Sequence, residues 1–359
     1  MKIVHLITTI CRGGAETQLV TLVREQVKLG HKVSVYYLKG DPELESDFSA
    51  AGAKVIGLLS GKNFLKQIYL FRKTLQGSNS VIHAHLPKSE LLASLAKSDN
   101  LFLISRHNSE AFYPNAPKVI SRVLSNWVSF RSNGCISISN AVKSYLIENK
   151  ELVFSRNHWV VEYGFNSNFS KLNYKPKDWS HTPISVGTVA RLAPQKDLPT
   201  LLKGFAIYSA NKDQVRLLIV GRGSEESNLK NLAERLAISD NVDWVESTKN
   251  VYEVMSKLDI FCLTSKYEGF GLVLLEAMQS EIPIVAANNS AIVEVLGEKY
   301  PFLFRTSDPS DLVEKLEKLT NPQHRNEAIE YLRKRIALFS PEIMAQKIDA
   351  IYIESLSAS

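Results

Sequence analysis

A chain of 359 residues exceeds one ordinary core and suits two domains, and its composition of 45% hydrophobic, 22% charged and 9% aromatic residues excludes disordered, collagen-like and low-complexity classes. No run of 18 apolar residues occurs, and Ile3–Ile7 after Met1-Lys2 is too short for a signal-peptide core and lacks a small-residue cleavage site, so a cytoplasmic chain is expected. The net charge of +6 is uneven: residues 1–180 hold 23 Lys and Arg against 13 Asp and Glu, which points to an anionic partner of the basic half or to an ordinary solvated basic surface.

The chain opens with a β-type run, Ile3 to Ile7, a turn containing Gly13-Gly14, and a helix whose Leu19, Leu22, Val23 and Val27 share a face before Gly30 closes it. Further strands are expected at Val33–Leu38, Val55–Leu58, Val81–His83, Leu101–Ser105 and Gly134–Ser137, with helices at Leu65–Leu75 and Ala141–Ile147. Periodicity stops at Phe165–Pro183, the composition of a crossing between domains. It resumes with strands at Ile184–Val189, Arg216–Val220, Val242–Val245, Ile260–Leu263 and Ile284–Ala286, and helices at Pro199–Ser209, Glu225–Ala237, Leu272–Gln279 and Asp311–Thr320. Pro341 opens a terminal helix to Leu356. Strands alternating with helices imply an α/β chain of two Rossmann-like, parallel-sheet domains, residues 1–170 and 171–340, with 341–359 packing back on the first. Cys11, Cys135 and Cys262 lack metal-ligand spacing and read as buried thiols.

Ligands of open α/β sheets bind beyond the carboxyl ends of the strands, so two facing sheets would place a substrate in a cleft touching both. Gly13-Gly14 follows the first strand and opens a helix, which suits a phosphate or a tight turn and nothing more. Gly221-Arg222-Gly223 starts like a dinucleotide fingerprint, but Glu226 stands where the third glycine belongs, which argues against an NAD-dependent oxidoreductase and leaves Gly221 and Gly223 as candidates to bind the nucleotide of a donor. Arg191 and Lys196 share one loop, a pairing that suits a diphosphate. In Ser265-Lys266-Tyr267-Glu268-Gly269-Phe270-Gly271-Leu272, a glycine-bracketed loop precedes an apolar helix carrying Glu276. Backbone amides there suit a phosphate while a carboxylate takes sugar hydroxyls, and Glu276 amid apolar neighbours demands a partner, either a ligand or a structural salt bridge.

These residues, with Val81-Ile82-His83-Ala84-His85, resemble the retaining glycosyltransferases of family 4, of the bacterial surface-polysaccharide or O-antigen type, over nearly the whole chain. The resemblance implies the GT-B fold, with an acceptor-binding first domain and a nucleotide-sugar-binding second. It makes Arg191 and Lys196 the partners of the donor diphosphate, Glu276 the acceptor of ribose hydroxyls, and Glu268 a neighbour of the donor sugar. Phe270, Gly271 and Leu272 would contact sugar and phosphate, Gly14 the diphosphate from the other domain, and His85 the reacting sugar, unless His85 is simply a satisfied structural histidine. His83 is expected to point into the sheet. The implied reaction needs no cofactor or metal, and no Asp-x-Asp triplet occurs.

The chain departs from the family at Glu281 and Tyr163, which stand for a usual Gly and Asn, at Arg222 for Asp, and at Asn288-Asn289-Ser290-Ala291 for a Gly-rich turn. A UDP-linked hexose or N-acetylhexosamine is the expected donor and GDP-mannose the alternative, while an epimerase or phosphorylase of the same fold is the rival activity. The acceptor is expected to be a glycan, polyprenyl-diphosphate-linked, with no nucleic acid involved. Lys62, Lys66, Arg72, Lys73, Lys118, Arg122 and Arg131 lie on helix-like segments with Phe64, Leu65, Leu70, Phe71, Val119, Ile120, Leu124, Trp127, Val128 and Phe130. Such faces suit the anionic inner-membrane surface or a core covered by snorkelling cations.

Overall fold

The computed structural model describes residues 1–96, 99–165, 183–212, 214–246 and 251–357. The chain divides into two units, Met1–Asn166 with Phe339–Ser359, and Ser167–Leu338. The expected change of domain at 170/171 lies outside the described residues.

Unit 1 is a seven-stranded parallel sheet of order β3-β2-β1-β4-β5-β6-β7. Its strands are β1 (Lys2–Ile7), β2 (Lys32–Tyr37), β3 (Lys54–Ile56), β4 (Val81–His85), β5 (Leu101–Arg106), β6 (Gly134–Ser137) and β7 (His158–Val160). Helices α1 (Gly14–Lys28), α2 (Glu45–Ala50), α3 (Phe64–Leu75), α4 (Pro87–Ala96), α5 (Lys118–Arg131) and α6 (Asn140–Glu148) connect them. Strands β4 and β5 are buried at every position, because helices cover both faces of a parallel sheet.

Unit 2 is a six-stranded parallel sheet of order β10-β9-β8-β11-β12-β13. It comprises β8 (Ile184–Val189), β9 (Val215–Val220), β10 (Val242–Val245), β11 (Ile260–Leu263), β12 (Ile284–Ala287) and β13 (Leu303–Phe304). Its helices are α7 (Leu198–Ser209), α8 (Glu226–Arg235), α9 (Val251–Met255), α10 (Leu272–Gln279), α11 (Ser290–Leu296), α12 (Pro309–Lys318) and α13 (Pro322–Ile336). The last helix, α14 (Pro341–Ser357), packs on α1 in unit 1. Gly164 permits that return, since a Cβ there would lie 2.4 Å from Pro341 Cα.

The expected two-unit α/β class with parallel sheets is present, with local differences. The strand expected at Val55–Leu58 ends at Ile56, where the 3-10 turn Gly57–Leu59 takes over. The helix expected to Ala237 stops at Arg235, and Ala237 adopts φ 55. Helix α4 went unread because its buried face carries Ser89, Glu90 and Ser94 between apolar residues. Cys135 and Cys262 are buried, but Cys11 is partly exposed and its thiol donates to the Asp41 carbonyl. Among the described residues no helix is long and apolar enough to cross a membrane.

Candidate functional site

In unit 2 the loop after β8 is built by close backbone approach. Ala190 N donates to Val220 O and Leu192 N to Arg222 O, so the loop continues the β8–β9 ladder. A Cβ on Gly221 would lie 1.9 Å from Ala190 O, and one on Gly223 2.1 Å from Leu192 O. These glycines therefore serve the packing of the loop that carries Arg191. Arg191 is exposed, and its guanidinium donates to Gln195 Oε1 at 2.9 Å. Arg222, the departure between the two glycines, pairs with Glu246 at the surface.

Lys196 ends the same loop in the 3-10 turn Pro194–Lys196. Its Nζ lies 2.5 Å from Glu268 Oε1, which also accepts from Ser265 Oγ at 2.7 Å. Two of the expected site residues thus form a mostly buried ion pair. Backbone stitching holds them together: Thr264 Oγ1 donates to Lys196 O, Lys266 N to Gln195 O, and Asn289 Nδ2 to Ser265 O. Asn289 also accepts from Ile292 N as the cap of α11, so the residue replacing a glycine-rich turn fastens the loop.

Helix α10 is preceded by its N-cap Gly271, whose φ of 89° and ψ of 53° are left-handed and favour glycine. Phe270 anchors the loop with a buried ring. The first turn of any helix leaves its amides without intrahelical acceptors, so Leu272 and Val273 can serve an anion. One turn on, Glu276 is partly buried, and among the described residues its carboxylate has neither ion-pair nor hydrogen-bond partner. Burial alone pushes it up to about 7.

In unit 1 the Gly13–Gly14 turn opens α1, with Gly13 extended. A Cβ on Gly13 would meet Glu16 Oε2 at 2.5 Å, and Glu16 Oε1 accepts from Thr9 Oγ1 at 2.8 Å. The Glu16 carboxylate thus packs against Gly13, where a larger side chain would meet it.

His85 ends β4 and is only 2% exposed. Both its ring nitrogens are engaged, Nε2 with His5 Nδ1 at 2.9 Å and Nδ1 with His107 Nε2 at 3.2 Å. His107 Nδ1 in turn meets Tyr163 Oη at 2.5 Å. His83 is buried as expected, between Tyr352 Oη and Ser105 Oγ. His85, His107 and Tyr163 line one pocket with Ala15 and Gln18 of α1 and Met344 of α14. Sequence reasoning missed His107 and the roles of Gln26 and Tyr352, which come together only through the sheet. The glycosyltransferase resemblance did flag Tyr163 as a departure.

A model described as Glycosyltransferase Family 4 matches residues 12–160, and one described as Glycosyl transferases group 1 matches residues 171–335. The capsular polysaccharide biosynthesis glycosyltransferase CapM of Staphylococcus aureus is 24% identical over a 384-residue alignment that covers all of this chain and 98% of that protein. The Campylobacter jejuni GalNAc-alpha-(1->4)-GalNAc-alpha-(1->3)-diNAcBac-PP-undecaprenol alpha-1,4-N-acetyl-D-galactosaminyltransferase is 26% identical, with 93% of each chain covered. Among solved structures, Anabaena HepE in complex with UDP-glucose matches with a TM-score of 0.82 at 20% identity, over the full length of both chains.

Proposed function

Because the chain belongs to the family 4 and group 1 glycosyl transferases, of GT-B type, we propose that unit 2 binds a nucleoside-diphosphate sugar and that the sugar is transferred with retention to a glycan acceptor. The observation that carries this reading is Glu276: a desolvated carboxylate without an ion-pair or hydrogen-bond partner among the described residues, one turn into a helix whose first amides follow a glycine loop. Ribose hydroxyls would supply the missing donors. A diphosphate oxygen would draw Lys196 from Glu268, and Arg191, which donates to Gln195, would neutralise the second phosphoryl group. Glu268, released from Lys196, would accept from the donor sugar's hydroxyls.

Departure of the diphosphate builds negative charge that the two cations and the α10 amides stabilise, and the departing oxygen takes the acceptor hydroxyl's proton. These cations take the part a divalent metal plays elsewhere, and the sequence lacks an Asp-x-Asp triplet. The UDP-glucose carried by HepE supports a UDP-linked hexose or N-acetylhexosamine. The capsular and undecaprenol-linked work of the two relatives supports surface-polysaccharide synthesis on a lipid-linked acceptor.

Thermal shift with UDP, GDP, ADP and their sugar conjugates, with and without EDTA, tests the donor site. At 100 times its dissociation constant a ligand stabilises by ~2.7 kcal/mol. Stabilisation by the uridine class alone, unaffected by EDTA and lost in Glu276→Ala, is expected. No shift with any nucleotide in the folded protein removes the donor-site reading, and a shift with guanosine ligands alone moves the donor to GDP-mannose.

A further inference from the structure

Four histidines of unit 1 form one hydrogen-bonded network. His5 and His83 are register partners on β1 and β4, and His85 stands two residues beyond His83, so the three rings share a sheet face. His107 follows β5. The chain runs from Gln26 Oε1 to His5 Nε2 (2.8 Å), from His5 Nδ1 to His85 Nε2, from His85 Nδ1 to His107 Nε2, and from His107 Nδ1 to Tyr163. A branch joins Gln26 Nε2 to Tyr352 Oη (3.3 Å), Tyr352 to His83 Nδ1 (2.7 Å), and His83 Nε2 to Ser105 Oγ (2.7 Å).

A neutral imidazole has one donor and one acceptor nitrogen. Burial holds all four rings neutral: His5 is lowered to about 4 and His107 to about 3, the latter also by Arg106, and His83 and His85 lie well below the usual histidine range. Ring-to-ring bonds then fix a common direction. With Gln26 Nε2 facing Tyr352, every bond is satisfied only if all four histidines carry the proton on Nε2. Turning the Gln26 amide by half a rotation reverses every bond and puts all four protons on Nδ1. A mixed pattern among His5, His85 and His107 sets two N–H groups or two lone pairs against each other, and one at His83 leaves the Tyr352 hydroxyl proton without an acceptor among the described residues.

We infer that Gln26 and Tyr352 are positioning residues that set one shared tautomer along the histidine chain and thereby fix which of His107 and Tyr163 donates at the pocket wall. Only the catalytic consequence rests on the glycosyltransferase reading. His5, His83 and His85 do bring one nitrogen each within 4.8 Å, but all their nitrogens already have protein partners, so a metal ion would have to displace these bonds.

Long-range 15N–1H correlation spectra of 15N-histidine-labelled protein test the tautomers without reference to activity. All four histidines are expected neutral at pH 7 with the same nitrogen protonated. In Tyr352→Phe, the His83 and His5 signals are expected to move to mixed tautomers. Gln26→Glu, whose carboxylate only accepts, is expected to hold His5, His85 and His107 on Nε2–H. With the preferred nucleotide sugar, Tyr352→Phe is expected to lower kcat about tenfold at unchanged donor KM, the pattern of a lost transition-state interaction. Different tautomers among the four wild-type rings, a charged ring, stoichiometric bound zinc, or wild-type tautomers in Tyr352→Phe would each overturn the inference. Absence of sugar transfer by wild type, with the shared tautomer intact, would instead count against the proposed function.

Discussion

At the scale of single residues, the chemistry concentrates in carboxylates with opposite surroundings. Glu268 is satisfied by Lys196 and Ser265, whereas Glu276 sits at about 7 because burial is not offset. A raised carboxyl favours the protonated folded state, so its contribution lowers stability as pH rises from about 4.5 to about 7. Ribose hydroxyls donating to Glu276 favour the charged form and reverse that shift on binding. Nucleotide affinity is therefore expected to rise with pH through about 7, with a proton released on binding. Calorimetry at pH 6.5 in two buffers of different ionisation enthalpy reads this directly. Different apparent enthalpies in wild type and equal ones in Glu276→Gln are expected, and equal values in wild type would refute the assignment. Arg191, Lys196, Glu268 and Glu276, the residues proposed for the donor, could be singled out in the sequence because each lies in a short local pattern after a strand. Gln26 and Tyr352 were not, since 326 positions separate them and only the docking of α14 on α1 joins them.

At the scale of elements, short strands rich in β-branched and apolar residues were read to the residue: β6, β8, β10, β11 and helix α10 have the expected bounds. Elements whose buried faces are polar or whose surfaces are densely charged, such as α4 and α13, escaped periodicity, because tertiary packing stabilises them more than an apolar stripe does. Glu281, which follows α10, shows how a departure is accommodated. Its φ is 53°, a conformation that explains the family's glycine there, and its carboxylate is bound by Arg333 of α13. The left-handed backbone costs roughly 1 kcal/mol in a non-glycine residue. Removing Arg333 would strand a carboxylate that is 7% exposed, although Arg333 itself is 45% exposed and partly screened. Arg333→Ala is expected to destabilise by about 1–3 kcal/mol in denaturant titration, and by under ~0.5 kcal/mol when combined with Glu281→Gly. Equal costs in both backgrounds would show that α13 is not held through this pair.

At the scale of the molecule, the excess of positive charge in the first half coincides with an inverted helix. Helix α5 buries Ser121, Ser125 and Ser129 with Val128, and turns Val119, Ile120, Val123, Trp127 and Phe130 outward. These recur every three or four residues and are exposed by 71%, 52%, 62%, 44% and 55%, so they form one stripe, beside exposed Val153 and Phe154. Lys118 and Arg122 flank it on the exposed side. Of the two alternatives for this segment, core-facing or outward-facing, α5 is outward, whereas α3 divides, with Phe71 buried and Leu65 exposed. An apolar stripe rimmed by cations matches an anionic leaflet, where apolar side chains enter the headgroup boundary and each nearby cation adds about 1 kcal/mol. An acceptor carried on a polyprenyl diphosphate would be held at the same surface. Flotation with phosphatidylglycerol-containing vesicles at low salt is therefore expected to carry wild type to the top fraction. Lys118→Glu with Arg122→Glu is expected to weaken binding by at least 30-fold, the effect of losing about 2 kcal/mol. Trp127→Ser with Phe130→Ser should also weaken it, and should do so at high salt as well, because burial of apolar area is not screened. Wild type that stays at the bottom at low salt would remove the membrane from this enzyme's working surface and leave the stripe to a protein partner.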